Sequence, residues 1–113
     1  MESTRQKKVS RLVQKELAVY FQRESRNHFG SALITVTIVR VSPDLSHARV
    51  YLSLFKAPKP EELMEVIKGM KKEIRKMLGE LVRNQLRIVP DLDFFLDDSI
   101  DYFENIDRLL SKD

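Results

Sequence analysis

Apolar residues recur along the start of the chain at steps of three and four: Val9, Leu12, Val13, Leu17, Tyr20 and Phe21. That is the period of a helix with one face on a core. Ser3 and Gln6 stand ahead of it at capping-box spacing, where each side chain can satisfy the other residue's N–H. The helix should fray around Arg26, because Asn27-His28-Phe29-Gly30 has loop chemistry and Gly30 suits a C-terminal cap. The period then changes to two. Residues 31–42, SALITVTIVRVS, are rich in β-branched side chains and predict a strand, with Ile34, Val36 and Ile38 on one face and Thr35 and Thr37 on the other. Pro43-Asp44 marks a turn. Residues 47–55 alternate Ala48, Val50, Leu52 and Leu54 against His47, Arg49, Tyr51 and Ser53. This second strand should pair antiparallel with the first and lay its apolar face on the helices.

After Ala57-Pro58-Lys59-Pro60 the helical period returns, through Leu63, Val66, Ile67, Met70, Ile74, Met77, Leu78, Leu81 and Val82. Pro60 fits the first helical position, and Glu61 and Glu62 complement the helix dipole. A helix unbroken from residue 60 to 86 would be about 40 Å long, against roughly 35 Å for the width of a domain of this size. Gly69 and Gly79 lie inside it, each costing about 1 kcal/mol relative to alanine. A kink or break is therefore expected, nearer Gly69 than Gly79. In the stretch LRIVPDLDFFLDDS, residues 86–99, Pro90 fits the start of a strand. Leu92, Phe94 and Leu96 then alternate with Asp93, Phe95 and Asp97, a third strand with one buried face. Ser99 is placed to cap a short terminal helix carrying Ile100, Phe103, Ile106 and Leu110. The expected fold is α+β in the order α-β-β-α-α-β plus a short C-terminal helix, one domain over residues 1–113.

Composition narrows the function. The 113 residues contain no cysteine, which removes disulfides, thiolate chemistry and cysteine-ligated zinc. No apolar run approaches the roughly 20 residues that cross a bilayer, and MESTRQKKVSRL lacks the apolar region of a secretion signal. A cytoplasmic protein with no membrane partner is expected. The net charge of +3 is unevenly spread. Residues 1–26 carry seven Lys/Arg against three acids, residues 56–87 nine against five, and residues 91–113 two against eight. A basic body with an acidic C-terminal end suggests a polyanionic partner for the basic part.

Enzyme chemistry finds no support. His28 and His47 match no metal spacing, and there is no nucleophile elbow, phosphate-binding loop or dinucleotide glycine pattern. No cofactor is expected. Asp91, Asp93, Asp97, Asp98 and Asp101 form the one carboxylate cluster. A hard-cation cage converges from several elements and uses a glycine-bearing loop, so a solvated strand face is expected here, not a metal site.

The basic residues are more informative. Lys68, Lys72, Arg75, Gly79 and Arg83 follow one another at steps of four, three, four and four, on the helical face opposite the apolar stripe, with Lys71 and Lys76 flanking it. Cations one helical turn apart can follow successive phosphates, whose neutralisation dominates nucleic-acid affinity. Gly79 would let a partner's backbone come close. The competing reading is an ordinary exposed face, with Glu73 and Glu80 as partners for the lysines. A second basic set on the first helix, Lys7, Lys8, Arg11 and Lys15, shifts the balance toward nucleic acid. The outer sheet face shows Tyr51 but no set of aromatics resembling a stacking platform.

The element order resembles the K-homology fold in its type II, bacterial variant. That fold grips single-stranded RNA with a GXXG loop, which is absent here. Two stretches narrow the resemblance to one family. VRVSPDLSHARVY, residues 39–51, resembles the V-x-x-S-x-D-L-x-x-A-x-V-Y segment of bacterial ribosome-binding factor A. LRIVPDLDFFLDDS resembles that family's second signature, L-R-x-x-P-x-L-x-F-x-x-D-x-S, and Arg5 to Leu17 resembles its first helix. The three motifs are collinear and span nearly the whole chain. The resemblance implies a non-catalytic factor that binds the free small ribosomal subunit, assists late assembly and processing of 16S ribosomal RNA, and supports growth in the cold. It implies a monomer, with an assembly GTPase as a further candidate partner. In this family a kink, commonly alanine-x-glycine, replaces the GXXG. The aligned positions here are Met70-Lys71-Lys72, with Gly69 just before. Two other readings stand beside this one: a K-homology-like module with a different RNA target, and an adaptor that docks a basic protein on its acidic C-terminal end.

Overall fold

The computed structural model describes residues 2–30 and 32–97, apart from the side chains of Arg26, Asn27 and His28. The elements run α1 (Thr4–His28), β1 (Leu33–Val41), β2 (His47–Phe55), α2 (Pro60–Gly69), α3 (Lys71–Val82) and β3 (Asp91–Leu96). The α-β-β-α-α-β order expected from periodicity is the observed one. The expected terminal helix, from Ser99 to Leu110, lies outside the described residues.

α1 begins on the capping box. Ser3 Oγ accepts the Gln6 N–H at 3.1 Å, and Gln6 Oε1 accepts the Ser3 N–H at 2.8 Å. The helix holds to His28, two residues beyond the expected fraying point. The Phe29 N–H bonds Ser25 O at 3.1 Å, and Gly30 follows at φ +63°, a left-handed turn that favours glycine. Val13, Leu17 and Phe21 are fully buried in the core, and Phe29 folds back beside Phe21 with ring centroids 5.7 Å apart.

The sheet has the order β1-β2-β3. β1 and β2 pair antiparallel from Leu33↔Phe55 to Val41↔Ala48, and β3 lies parallel to β2 from His47↔Asp91 to Leu52↔Leu96. A parallel neighbour requires a crossover, and α2 and α3 form it. The helices cover one face of the sheet, so central β2 buries Ala48, Val50 and Leu52 completely. The β1–β2 turn is fastened by Asp44, whose carboxylate accepts the Ser42 and Ser46 hydroxyls, each at 2.7 Å, and the Ser46 N–H at 3.1 Å. These bonds stabilise the charged form and push the Asp44 carboxyl down to about 2.

Three details of the sequence pattern are corrected. The expectation that Ile38 shares the buried face of Ile34 and Val36 fails at a bulge between Val36 and Ile38. The extra residue reverses the strand's phase, so Val39 and Val41 go inward and Ile38 is 41% exposed. On the crossover helices Met64 is buried where Val66 was expected, and both Val66 and Leu81 are exposed. On β3, Leu92 and Phe94 are buried, but Leu96, at the strand's last position, is exposed.

The break in the long helix falls at Met70. Its φ and ψ are −97° and 10°; its N–H is shared between the Val66 and Ile67 carbonyls, and its carbonyl accepts the Ile74 N–H at 2.9 Å. Gly69 ends α2 with an ordinary φ, and a Cβ placed on it would meet nothing within 4 Å. The chain is bent by where Ile67, Ile74 and Leu78 must pack, and glycine geometry is not required for it.

Candidate nucleic-acid interface

α3 places its basic residues in two distinct settings. Lys71, Lys72, Arg75 and Lys76 line one groove with Gly79, Val89 and Asp91, about 770 Å³ in volume. Within it Lys71 and Arg75 are already engaged by β3 and the connection leading to it. The Lys71 ammonium is 3.1 Å from Asp93, and the Arg75 guanidinium is 3.3 Å from Asp91. Arg75 also donates to the Val89 carbonyl at 2.8 Å and to the Pro90 carbonyl at 3.2 Å. Arg75 thereby ties the α3–β3 connection to the helix. Lys72, Lys76 and Arg83 take part in no ion pair among the described residues. Lys72 and Lys76 stand one helical turn apart on the outward side of α3, and Arg83, just past its end, follows two turns on.

The expected stripe is therefore shortened. Lys68 lies on α2, before the break, and the straight-helix spacing that joined it to Lys72 does not hold across Met70. Gly79 was expected to admit a partner's backbone. In the folded chain a Cβ there would lie 3.3 Å from a Val89 methyl, so the glycine admits the α3–β3 connection. Asp91 and Asp93, read as a solvated face, are exposed and also serve as the counter-ions of Arg75 and Lys71. No group of three or more metal-ligating side chains is found among the described residues.

On α1, Lys7, Lys8, Arg11 and Lys15 are all exposed, opposite the buried stripe. Lys8 reaches a second groove, where Arg5 and Arg87 join it. Arg5 and Lys8 are one turn apart on α1, and only the meeting of α1 with the α3–β3 connection brings Arg87 to them. The outer sheet face carries a stacked pair, Tyr51 and Phe95, with centroids 5.3 Å apart. Sequence reading named both residues but did not pair them, since the contact depends on the parallel register Tyr51↔Phe95. No described helix is long and apolar enough to cross a membrane.

Known proteins share both the sequence and this geometry. Residues 5–110 match the family model of ribosome-binding factor A. The ribosome-binding factor A of Cytophaga hutchinsonii is 49% identical over 112 residues, covering 99% of this chain and 84% of that protein. That of Prosthecochloris aestuarii is 40% identical over 111 residues, covering 97% and 89%. Among solved structures, the crystal structure of ribosome-binding factor A from Thermus thermophilus superposes with a TM-score of 0.67 at 23% identity, over 80% of this chain and 94% of that one. A Thermus thermophilus model fitted into the electron-microscopy map of a complex of that factor with the 30S subunit gives a TM-score of 0.60 at 23% identity, over 87% and 97%. The three helices on a three-stranded sheet are thus an α+β, K-homology-like fold. The chain belongs to the ribosome-binding factor A family.

Proposed function

We propose that this protein is a non-catalytic assembly factor that binds the free small ribosomal subunit through 16S ribosomal RNA. It works as a single-domain monomer in the cytoplasm, assisting late maturation and RNA processing, including in the cold. The observation that carries this reading is the outward face of α3, where Lys72 and Lys76 stand one turn apart and Arg83 follows two turns on at the helix end, with no acidic partner among the described residues. A related factor is known in complex with a 30S subunit, which supports the same target here. Lys71 and Arg75 border the contact, and Lys7, Lys8, Arg11 and Lys15 extend it along α1. Lys68 is the outlying member of the set. An assembly GTPase is a further candidate partner.

Salt tests this reading. Each phosphate neutralised contributes a log–log slope of roughly −0.7 to −0.9 in affinity against salt concentration. Three to five contacts predict a combined slope of about −2 to −4.5 for binding to purified small subunits. A flat response, or sedimentation of the protein with other RNA and not with free small subunits, would contradict it.

A further inference from the structure

The second groove has no role in the reading above. It is about 590 Å³ in volume and lies between the start of α1, the β1–β2 turn and the α3–β3 connection. Val9, Leu12, Leu45 and Leu86 form its apolar lining, with Pro43 and Ile88 beside them. Ile88 is 62% exposed, although it belongs to a short loop that could have carried a polar residue there without strain on the core. Arg5, Lys8 and Arg87 are its cations. Asp44 is its one acid, and that carboxylate is held within the turn by Ser42 and Ser46.

An apolar slot bounded by cations fits a ligand that alternates flat apolar faces with negative charge. We propose that the groove receives one unpaired nucleotide of single-stranded RNA, with its base against the apolar lining and its flanking phosphates on Arg5, Lys8 and Arg87. The inference rests on the RNA-binding reading and extends it to a defined subsite. Two observations favour a nucleotide over an acidic peptide. The positive surface continues from Lys8 to Arg11 and Lys15, well beyond the groove, as a polyanion requires. The adjoining edge of β1 also offers no strand for a peptide to pair with. Gln6 donates to the Val41 carbonyl at 2.9 Å and Gln14 to the Val36 carbonyl at 3.0 Å, so side chains of α1 occupy that edge. A paired base, with both faces stacked in a duplex, could not enter, so the site selects single strands.

The test measures binding of the full chain to three probes by fluorescence anisotropy: a short single-stranded RNA, a blunt-ended RNA duplex of equal length, and an abasic strand of equal charge. Ile88→Ser removes apolar contact at an exposed position and leaves the charge unchanged. It should weaken binding of the single strand about five- to tenfold while leaving its salt slope, and binding of the duplex and the abasic strand, unchanged. Arg87→Gln should flatten the slope for the single strand by about 0.7. Equal binding of the single strand by Ile88→Ser and the parent chain would overturn the proposal, as would an equal loss on the abasic strand. An acidic, apolar peptide that binds the groove and is released by Ile88→Ser, with RNA binding unaffected, would also overturn it in favour of protein docking. The broader reading fails separately: it falls if the parent chain does not bind the small subunit, or binds it with no salt dependence, whatever Ile88→Ser does.

Discussion

Gln6 joins two structures with one side chain. Its Oε1 completes the capping box on Ser3, and its Nε2 donates to Val41 on the edge of β1, a buried bond of 2.9 Å. Gln6→Ala removes both and leaves a buried carbonyl unpaired, at an expected cost of about 1–3 kcal/mol. A denaturant midpoint that does not move would show that the bond to β1 is not made. Asp44 makes a prediction of another kind. Its carboxyl is held at about 2, below the ordinary 3.8, by hydrogen bonds from Ser42 and Ser46. A depressed carboxyl contributes stability that is fully present above its unfolded value and is lost as pH falls from about 4 through 2. Following the carboxyl carbon by NMR should give a midpoint near 2, and Ser42→Ala should raise it. A midpoint at the ordinary value would mean that the turn is not fastened this way. The capping box was readable from a spacing of three, whereas the bond to Val41 joins residues 35 apart in sequence and leaves no local signal.

Among the elements, periodicity located each described helix and strand because each buries one face, and burial leaves a period. It failed where one residue changes the phase. The bulge at Thr37 sends Ile38 outward, and nothing in the run ITVTIV distinguishes it from an unbroken strand. Thr37 shows what holds the bulge: its hydroxyl lies 3.2 Å from the Tyr51 carbonyl and 2.5 Å from the Asp97 carboxylate. The helix break was expected from a length limit that the folded chain does not obey, since α1 alone runs 25 residues, and its cause was not legible. Gly69 pointed to the right place without being needed there. Its φ is ordinary and its Cβ position is open, so Gly69→Ala should stabilise the chain by about 0.5–1 kcal/mol and leave the break at Met70 intact. Destabilisation, or amide exchange showing one continuous helix through Met70, would mean that glycine itself sets the bend. Gly79→Ala tests the other site. Its added methyl meets Val89 at 3.3 Å, so the gain in helix propensity is offset by displacement of the connection that Arg75 holds.

Across the whole molecule, charge separates into a structural set and a set left outward. The stretch LRIVPDLDFFLDDS places acid in a basic protein, and the fold shows where its first two aspartates point. They face α3 from the edge strand, where Asp91 and Asp93 meet Arg75 and Lys71. That division was not legible in sequence, since the spacing ranks Arg75 with Lys72 and only the packing of β3 against α3 separates them. Arg75→Ala should therefore loosen the α3–β3 connection and cost about 1 kcal/mol, discounted for the exposure of the pair. Loss of subunit binding in that variant would not by itself locate the RNA contact. Lys72 and Lys76 are free of that ambiguity. The most direct measurement is co-sedimentation of a Lys72→Glu/Lys76→Glu variant with purified free small subunits, beside a Lys56→Glu/Lys59→Glu variant of identical net charge. The first should lose association while keeping the parent's thermal midpoint, and the second should sediment as the parent does. Undiminished co-sedimentation of the Lys72/Lys76 variant, or equal loss in both, would contradict an RNA contact on the outward face of α3.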